Sequence, residues 1–256
     1  AAIANSPTSP FWWIAWAGRA PRPAPAQASA VDRDWLRSVA LDTWRYFEQH
    51  VGAHSNHLPP DNVQTVPHTT VAQRTSPTNI GMYLLSAACA QAFGWIDRAA
   101  FLARCEGTLD AIDRLPRHRG HLLNWVDTAT LRALPPAYVS TVDSGNLCVL
   151  LLTVAAALDA LDKPVDAGPT KLPARRRHRP GPLAQRAHAA ALRCRALAES
   201  HEFGFLFDER RRLFHIGCRV DDGRNDAGHY DLLASEARLA SLWAIAKGDV
   251  AASHWA

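Results

Sequence analysis

Helical stretches of two kinds alternate along this chain, and the alternation restricts its fold more than any other feature. Amphipathic segments are expected at about Asp32–Val51, Asp97–Leu115 and Leu183–Ser200. Each carries charges down one side, such as Arg98, Asp110 and Asp113 in the second and Arg186, Arg193 and Glu199 in the third. Interleaved with them are segments apolar nearly all round: Pro77 to Phe93, Val142 to about Leu161, and Gly228 to Ala246. Apolar residues at three- and four-residue spacing share a helix face, and a helix with no polar face has to be buried. Ser76 is a natural N-cap with Pro77 in the first helical position, and Gly228 and Gly248 bracket the last segment. The order outer, inner, outer, inner, outer, inner is that of a two-layer α/α toroid. Three such hairpins do not close a ring. The fold class expected is therefore all-α: a partial α/α toroid of the six-hairpin type, about half present, with the remainder beyond Ala256. The one β element expected is a short hairpin over Phe205–Ile216, where two alternating apolar runs flank Glu209-Arg210-Arg211-Arg212.

Residues 1–30 read as a membrane-proximal, Pro-rich linker and residues 31–256 as the N-terminal half of the toroid domain. Phe11–Ala17 is apolar and aromatic but too short to span a bilayer. Residues 163–182, rich in Pro, Gly and Arg, read as a surface excursion. The net charge of +4 owes much to one run, Arg175-Arg176-Arg177-His178-Arg179. No basic stripe with interleaved aromatics is present, which argues against nucleic acid as a partner. The five cysteines are odd in number and widely spaced. They suggest reduced, buried thiols in a cytosolic compartment rather than a disulfide framework. No His, Asp or Glu spacing is diagnostic of a metal. Nine tryptophans are many for this length, and an aromatic face suits the C–H face of a pyranose.

Long polar loops precede all three apolar helices, so they are expected to gather where those helices' N-termini point, and there a site would be built. Glu236 is the candidate acid. Read as mid-helix on the face of Leu232, Leu239, Ala240 and Trp243, it is a buried carboxylate, expensive unless paired or functional. Burial raises a carboxyl pKa, as a general acid at neutral pH requires; an ion pair with an arginine of another helix is the structural alternative. Asp143, in the first turn of its helix, is either a second carboxylate at the site or a charge favouring the helix dipole. Asp61, Asn62, Arg74, Asn79, Asp127 and Asp231 suit vicinal hydroxyls, though each also suits a loop-ordering hydrogen bond. Trp125 either stacks on a sugar ring or plugs its loop. His121 reads as a structural hydrogen-bonding group.

The loop and helix-start motifs carry a resemblance. Leu58-Pro59-Pro60-Asp61-Asn62, Arg74-Thr75-Ser76-Pro77-Thr78-Asn79-Ile80-Gly81, Arg119-Gly120-His121, Asn124-Trp125, Asp127-Thr128, Tyr138-Val139-Ser140-Thr141-Val142-Asp143-Ser144-Gly145-Asn146-Leu147, and Tyr230-Asp231-Leu232-Leu233-Ala234-Ser235-Glu236-Ala237-Arg238-Leu239-Ala240-Ser241 resemble the glycoamylase-like middle domain of cyclic β-1,2-glucan synthases. The likeness runs from about Asp32 to Trp255. Val126, Cys218 and His229 depart from it, standing where aromatics are usual. The resemblance implies an α/α toroid that cleaves linear β-1,2-glucan and rejoins it to its own end, giving cyclic β-1,2-glucan. It implies that Glu236 is the acid/base, that Tyr230 and Asp231 join the substrate-binding residues, and that the second carboxylate lies beyond Ala256, leaving this piece inactive alone. No cofactor or metal is implied for this domain. UDP-glucose would serve an upstream membrane glycosyltransferase domain, and a phosphorylase-like domain would follow downstream. The expected location is the cytoplasmic face of the bacterial inner membrane. The alternatives are a β-1,2-glucan hydrolase, a non-catalytic glucan-holding module, and a purely structural helical repeat. The last predicts no polar clusters before the inner helices.

Overall fold

The computed structural model describes residues 28–162, 181–233 and 235–255. The linker assigned to 1–30, with Phe11–Ala17, lies outside the described residues except for 28–30, and so does 163–180 of the surface excursion. The chain divides into two compact units, residues 1–42 and 43–256. The described helices are α1 (Ala30–His50), α2 (Pro77–Ala92), α3 (Arg98–Arg114), α4 (Thr141–Asp159), α5 (Pro182–Glu199) and α6 (Arg238–Lys247). Five of the six begin and end within a few residues of the sequence expectation, and side-chain caps set the starts of α2, α3 and α4. Ser76 Oγ accepts the Asn79 N–H at 3.2 Å, Asp97 Oδ1 the Ala100 N–H at 2.7 Å, and Ser140 Oγ the Asp143 N–H at 3.2 Å.

In the second unit α2, α4 and α6 form one row, with α4 in the middle; α3 packs on α2 and α5, and α5 on α4. This is the inner and outer layering that the alternation predicts. Leu147, Cys148, Leu151, Val154 and Ala155 of α4 are fully buried. The Thr141–Asp162 segment is long and apolar enough to cross a membrane. Here it is the core helix, flanked by α2, α5 and α6. The outer helices are joined by ion pairs at the rim: Arg186 Nε to Glu106 Oε1 at 3.0 Å, and Arg193 Nη2 to both Asp110 and Asp113 at 2.8 Å. Four cysteines are buried, Cys89 is exposed, and all five are free. Burial pushes the Cys194 thiol up to about 12.

Two expectations need correction. The first is the all-α class, since eleven short strands are present among the described residues. The expected hairpin is there, as β8 (Phe207–Asp208) paired with β9 (Leu213–Phe214), and two more strand pairs are β1 (Val63–Gln64) with β2 (Thr70–Val71) and β4 (Arg117–His118) with β5 (His121–Leu122). The larger element is an antiparallel five-stranded sheet in the order β11 (Arg224–Asn225), β10 (Gly217–Arg219), β7 (Ala133–Ser140), β6 (Asn124–Asp127), β3 (Arg74–Thr75). Its strands come from the three polar loops that precede α2, α4 and α6. The loops therefore do gather at one end, and backbone hydrogen bonds hold them there. Between Tyr138, opposite Asn124, and Ala133, opposite Val126, β7 carries extra residues that arch out as Leu134-Pro135-Pro136-Ala137. The arch lets two prolines sit in a central strand, where neither could donate to a ladder. Gly217 is required on β10, since a Cβ there would fall 2.2 Å from Tyr138 Oη.

The second correction concerns the last helix, which starts at Arg238 rather than Gly228. Tertiary pairing takes the residues ahead of it. The Tyr230 N–H donates to the Phe214 carbonyl at 2.9 Å, His229 bridges His215, and Ser235 Oγ accepts the Ala237 N–H at 3.0 Å. Backbone pairing of His229 and Tyr230 thus overrides the helix propensity of the segment ahead of α6. Glu236 lies in the turn before α6 and is exposed, not buried mid-helix.

Candidate active site

The site lies where the N-terminal ends of the inner helices meet the sheet. The crossing of α4 and α6 fixes this. A Cβ on Gly145 would lie 2.4 Å from the Ala240 backbone, so the two helices touch within two turns of their starts. Asp143 precedes one contact residue and Glu236 the other.

Asp143 is held at the starts of both α2 and α4. Its Oδ1 accepts the Thr78 N–H at 3.3 Å and its Oδ2 accepts Asn124 Nδ2 at 2.9 Å. It compensates helix N-termini, and it also lines a cleft of about 300 Å³ with Asn124, Trp125, Pro135 and Tyr138. A second hollow of about 320 Å³ is lined by Tyr46, Asp61, Asn62, Asn79 and Met82. Each is at the lower end of ligand-cleft sizes. Arg74 joins them. Its Nη2 and Nε donate to Asp61 Oδ2 at 3.0 and 3.2 Å, and its guanidinium carbon is 5.0 Å from the centre of the Trp125 ring. Asp61 also accepts Asn62 Nδ2 at 2.9 Å and Asn79 Nδ2 at 3.3 Å. Five of the predicted residues, Asp61, Asn62, Arg74, Asn79 and Trp125, thus form one connected group, and Asn124 carries it on to Asp143.

Tyr230 is half-buried, and its hydroxyl is pushed above the ordinary phenol range by burial and then by the charges of Glu236, Asp143 and Asp226. Both candidate carboxylates therefore act electrostatically on this phenol. Asp231 is exposed next to Tyr230. Asp127 is placed differently: its Oδ1 accepts the N–H groups of Ala129 at 3.0 Å and Thr130 at 2.7 Å, and Thr130 Oγ1 at 2.9 Å. These bonds, the Thr130 N–H first, hold its carboxyl below the usual range and give it a turn-ordering role. His121 is fully buried between Ser144 Oγ at 2.8 Å and the Glu202 carbonyl at 2.9 Å. Burial, then His201, lowers it to about 3.

Two residues that line or support the site were not among the sequence candidates. Asn124 positions Asp143, and its own Oδ1 is a buried acceptor without a protein partner. Tyr138 Oη donates to Asp226 Oδ2. Asn124 and Tyr138 face one another across β6 and β7. That register is the missing signal, since each strand alone is too short or too proline-rich to announce itself.

The geometry can be set beside known proteins. The chain is 35% identical to the cyclic β-(1,2)-glucan synthase NdvB of Rhizobium meliloti (strain 1021), in an alignment of 323 positions that takes in 86% of this chain and 11% of the relative. It is homologous to one segment of a cyclic β-1,2-glucan synthase. No protein-family model matches it. Among solved structures it superposes on a protein assigned as a glucoamylase from Bacteroides fragilis NCTC 9343 with TM-score 0.60 at 14% identity, covering 88% of this chain and 49% of the other. It also superposes on the endo-β-1,2-glucanase of Chitinophaga pinensis in complex with sophorotriose and glucose, with TM-score 0.59 at 14% identity, covering 86% and 48%. At such identities these likenesses establish the glucoamylase-like fold. The chain spans about half the length of these structures and about a tenth of the synthase.

Proposed function

We propose that this chain belongs to a β-1,2-glucan-processing domain that cuts a linear glucan and transfers the cut end, to the glucan's own hydroxyl for ring closure or to water for hydrolysis. The connected group of Asp61, Asn79, Arg74 and Trp125, carried by Asn124 to Asp143 along a cleft that Trp125 and Asp143 both line, supports the reading. Glycosyl transfer needs a proton donor for the leaving oxygen and a carboxylate across the sugar. Glu236 is the donor in this reading, and later the base for the incoming hydroxyl. A bound glucan would cover it and supply the water exclusion that the free protein lacks there. Asp143 orients sugar hydroxyls, Trp125 stacks on a ring face, and Arg74 with Asp61, Asn62 and Asn79 binds vicinal hydroxyls. Tyr230 and Asp231 complete the contacts around Glu236. The partner carboxylate comes from Asp143 or from another part of the parent protein. The parent's UDP-glucose-using transferase, its phosphorylase-like domain and its seat at the inner membrane are part of the same proposal.

A second reading, a glucan-holding module, is favoured by the exposed position of Glu236. The two separate on a pair of variants in the full parent protein. Glu236→Gln is expected to lower turnover of linear β-1,2-glucan at least 10³-fold with KM within about threefold, an effect of the size that loss of an acid/base group gives. Asp143→Asn is expected to raise KM. Unchanged turnover in Glu236→Gln would remove it from the chemistry and leave the holding role.

A further inference from the structure

Beside the glucan site, and independent of its chemistry, Asp208, His215 and His229 come together although they lie far apart in the sequence. A carboxylate oxygen and one nitrogen of each imidazole all fall within 4.8 Å of one another. Asp208 ends β8, His215 follows β9, and His229 bridges His215 from the segment that leads to Tyr230. The rings of His215 and His229 lie 4.3 Å apart centre to centre. We propose that these three residues form a binding site for a divalent transition-metal ion of the zinc class, a staple that ties the segment carrying Tyr230 and Glu236 to the β8–β9 hairpin.

Each ligand is prepared for this role. His215 Nδ1 donates to the Asp226 carbonyl at 2.7 Å. That bond fixes the tautomer and leaves the Nε2 lone pair available, the outer-shell arrangement of most metal-ligating histidines. Asp208 Oδ1 accepts the N–H groups of Arg210 at 2.9 Å and Arg211 at 3.1 Å, which locks the carboxylate while Oδ2 faces His229 Nε2 at 3.0 Å. When the ion enters, the His229 proton passes to Nδ1 through solvent and the neutral ring ligates through Nε2. Donor atoms around a first-row ion are at most about 4.2 Å apart, so the observed spread closes with side-chain shifts below about 1 Å. A site of two nitrogens and one oxygen is borderline in softness, and it keeps a fourth position for water. The side chains of His229 and Asp208 are 9% and 21% exposed, which gives the ion a way in.

The test is calorimetric titration of the EDTA-treated, dialysed chain with Zn²⁺ alone, with Co²⁺ as a visible-absorbing substitute. One ion per chain is expected, with the melting temperature rising as Zn²⁺ is added. His215→Phe, His229→Phe and Asp208→Asn should each weaken binding at least tenfold and abolish the Co²⁺ ligand-field bands. Asp208→Asn keeps an oxygen for the Arg210 and Arg211 N–H groups, so it reports on ligation even if a histidine variant fails to fold. No heat of binding, or binding unchanged in Asp208→Asn and in the folded histidine variants, would overturn the proposal.

Discussion

His121 and His201 show how single residues set the pH limits of this protein. Both are buried and neutral, lowered by desolvation to about 3 and about 4. The sign follows from where the protons go. Below the unfolded value near 6.5, the unfolded chain takes up protons that the folded chain refuses. The stability these groups contribute is complete above pH 6.5 and is lost as pH falls towards 4 and then 3. Unfolding free energies from denaturant titrations should drop across that window with a slope approaching about 2.7 kcal/mol per pH unit for the two groups together. His121→Gln should remove about half of that slope; a slope unchanged in this variant would show that other groups dominate. Arg74 makes the opposite kind of contribution. It is half-exposed, so its pair with Asp61 adds little stability. Arg74→Ala should leave the melting temperature within about a degree or two while raising KM for glucan roughly tenfold, because Trp125 and Asp61 lose the group that spans them. A KM equal to wild type would detach Arg74 from the site.

At the level of elements, the contact between α4 and α6 is the joint that aligns Asp143 with Glu236. Gly145→Ala puts a methyl 2.5 Å from the Ala240 Cα, and overpacking of this kind costs about 1–3 kcal/mol. The expected signature is a lower melting temperature together with lost activity, since the helix ends separate. A variant as stable as wild type would mean the joint is loose. The same joint marks the limit of what could be read in advance. The caps Ser76, Asp97 and Ser140 are local, so α2, α3 and α4 were legible. The start of α6 depends on Tyr230 pairing with Phe214, a distant contact that no periodicity reveals. The burial assigned to Glu236 failed with it. The five-stranded sheet was hidden because β3, β10 and β11 have two or three residues each and β7 contains Pro135-Pro136. Asp61, Asn62, Arg74, Asn79 and Trp125 could be singled out from their motifs ahead of the apolar helices, and the structure shows them in contact with one another. Asn124 and Tyr138 were missed because their meaning lies in their register.

At the level of the whole molecule, the inner row presents apolar side chains to solvent. Met82 on α2 is 45% exposed and Leu242 on α6 is 52% exposed. The isolated chain should therefore bind a hydrophobic dye and self-associate at high concentration. Met82→Gln with Leu242→Gln should reduce both effects while changing stability by less than about 0.5 kcal/mol. A monodisperse, dye-silent wild-type chain would contradict this. The central claim is the processing of β-1,2-glucan through Glu236, and the masses of the products test it most directly. Full-length parent protein, with and without Glu236→Gln, is incubated with linear β-1,2-glucan. The account predicts products lighter than their linear counterparts by one water, or shorter linear chains where water is the acceptor, and neither in the variant. Unaltered glucan with the wild-type protein, or the same products from both, would contradict it.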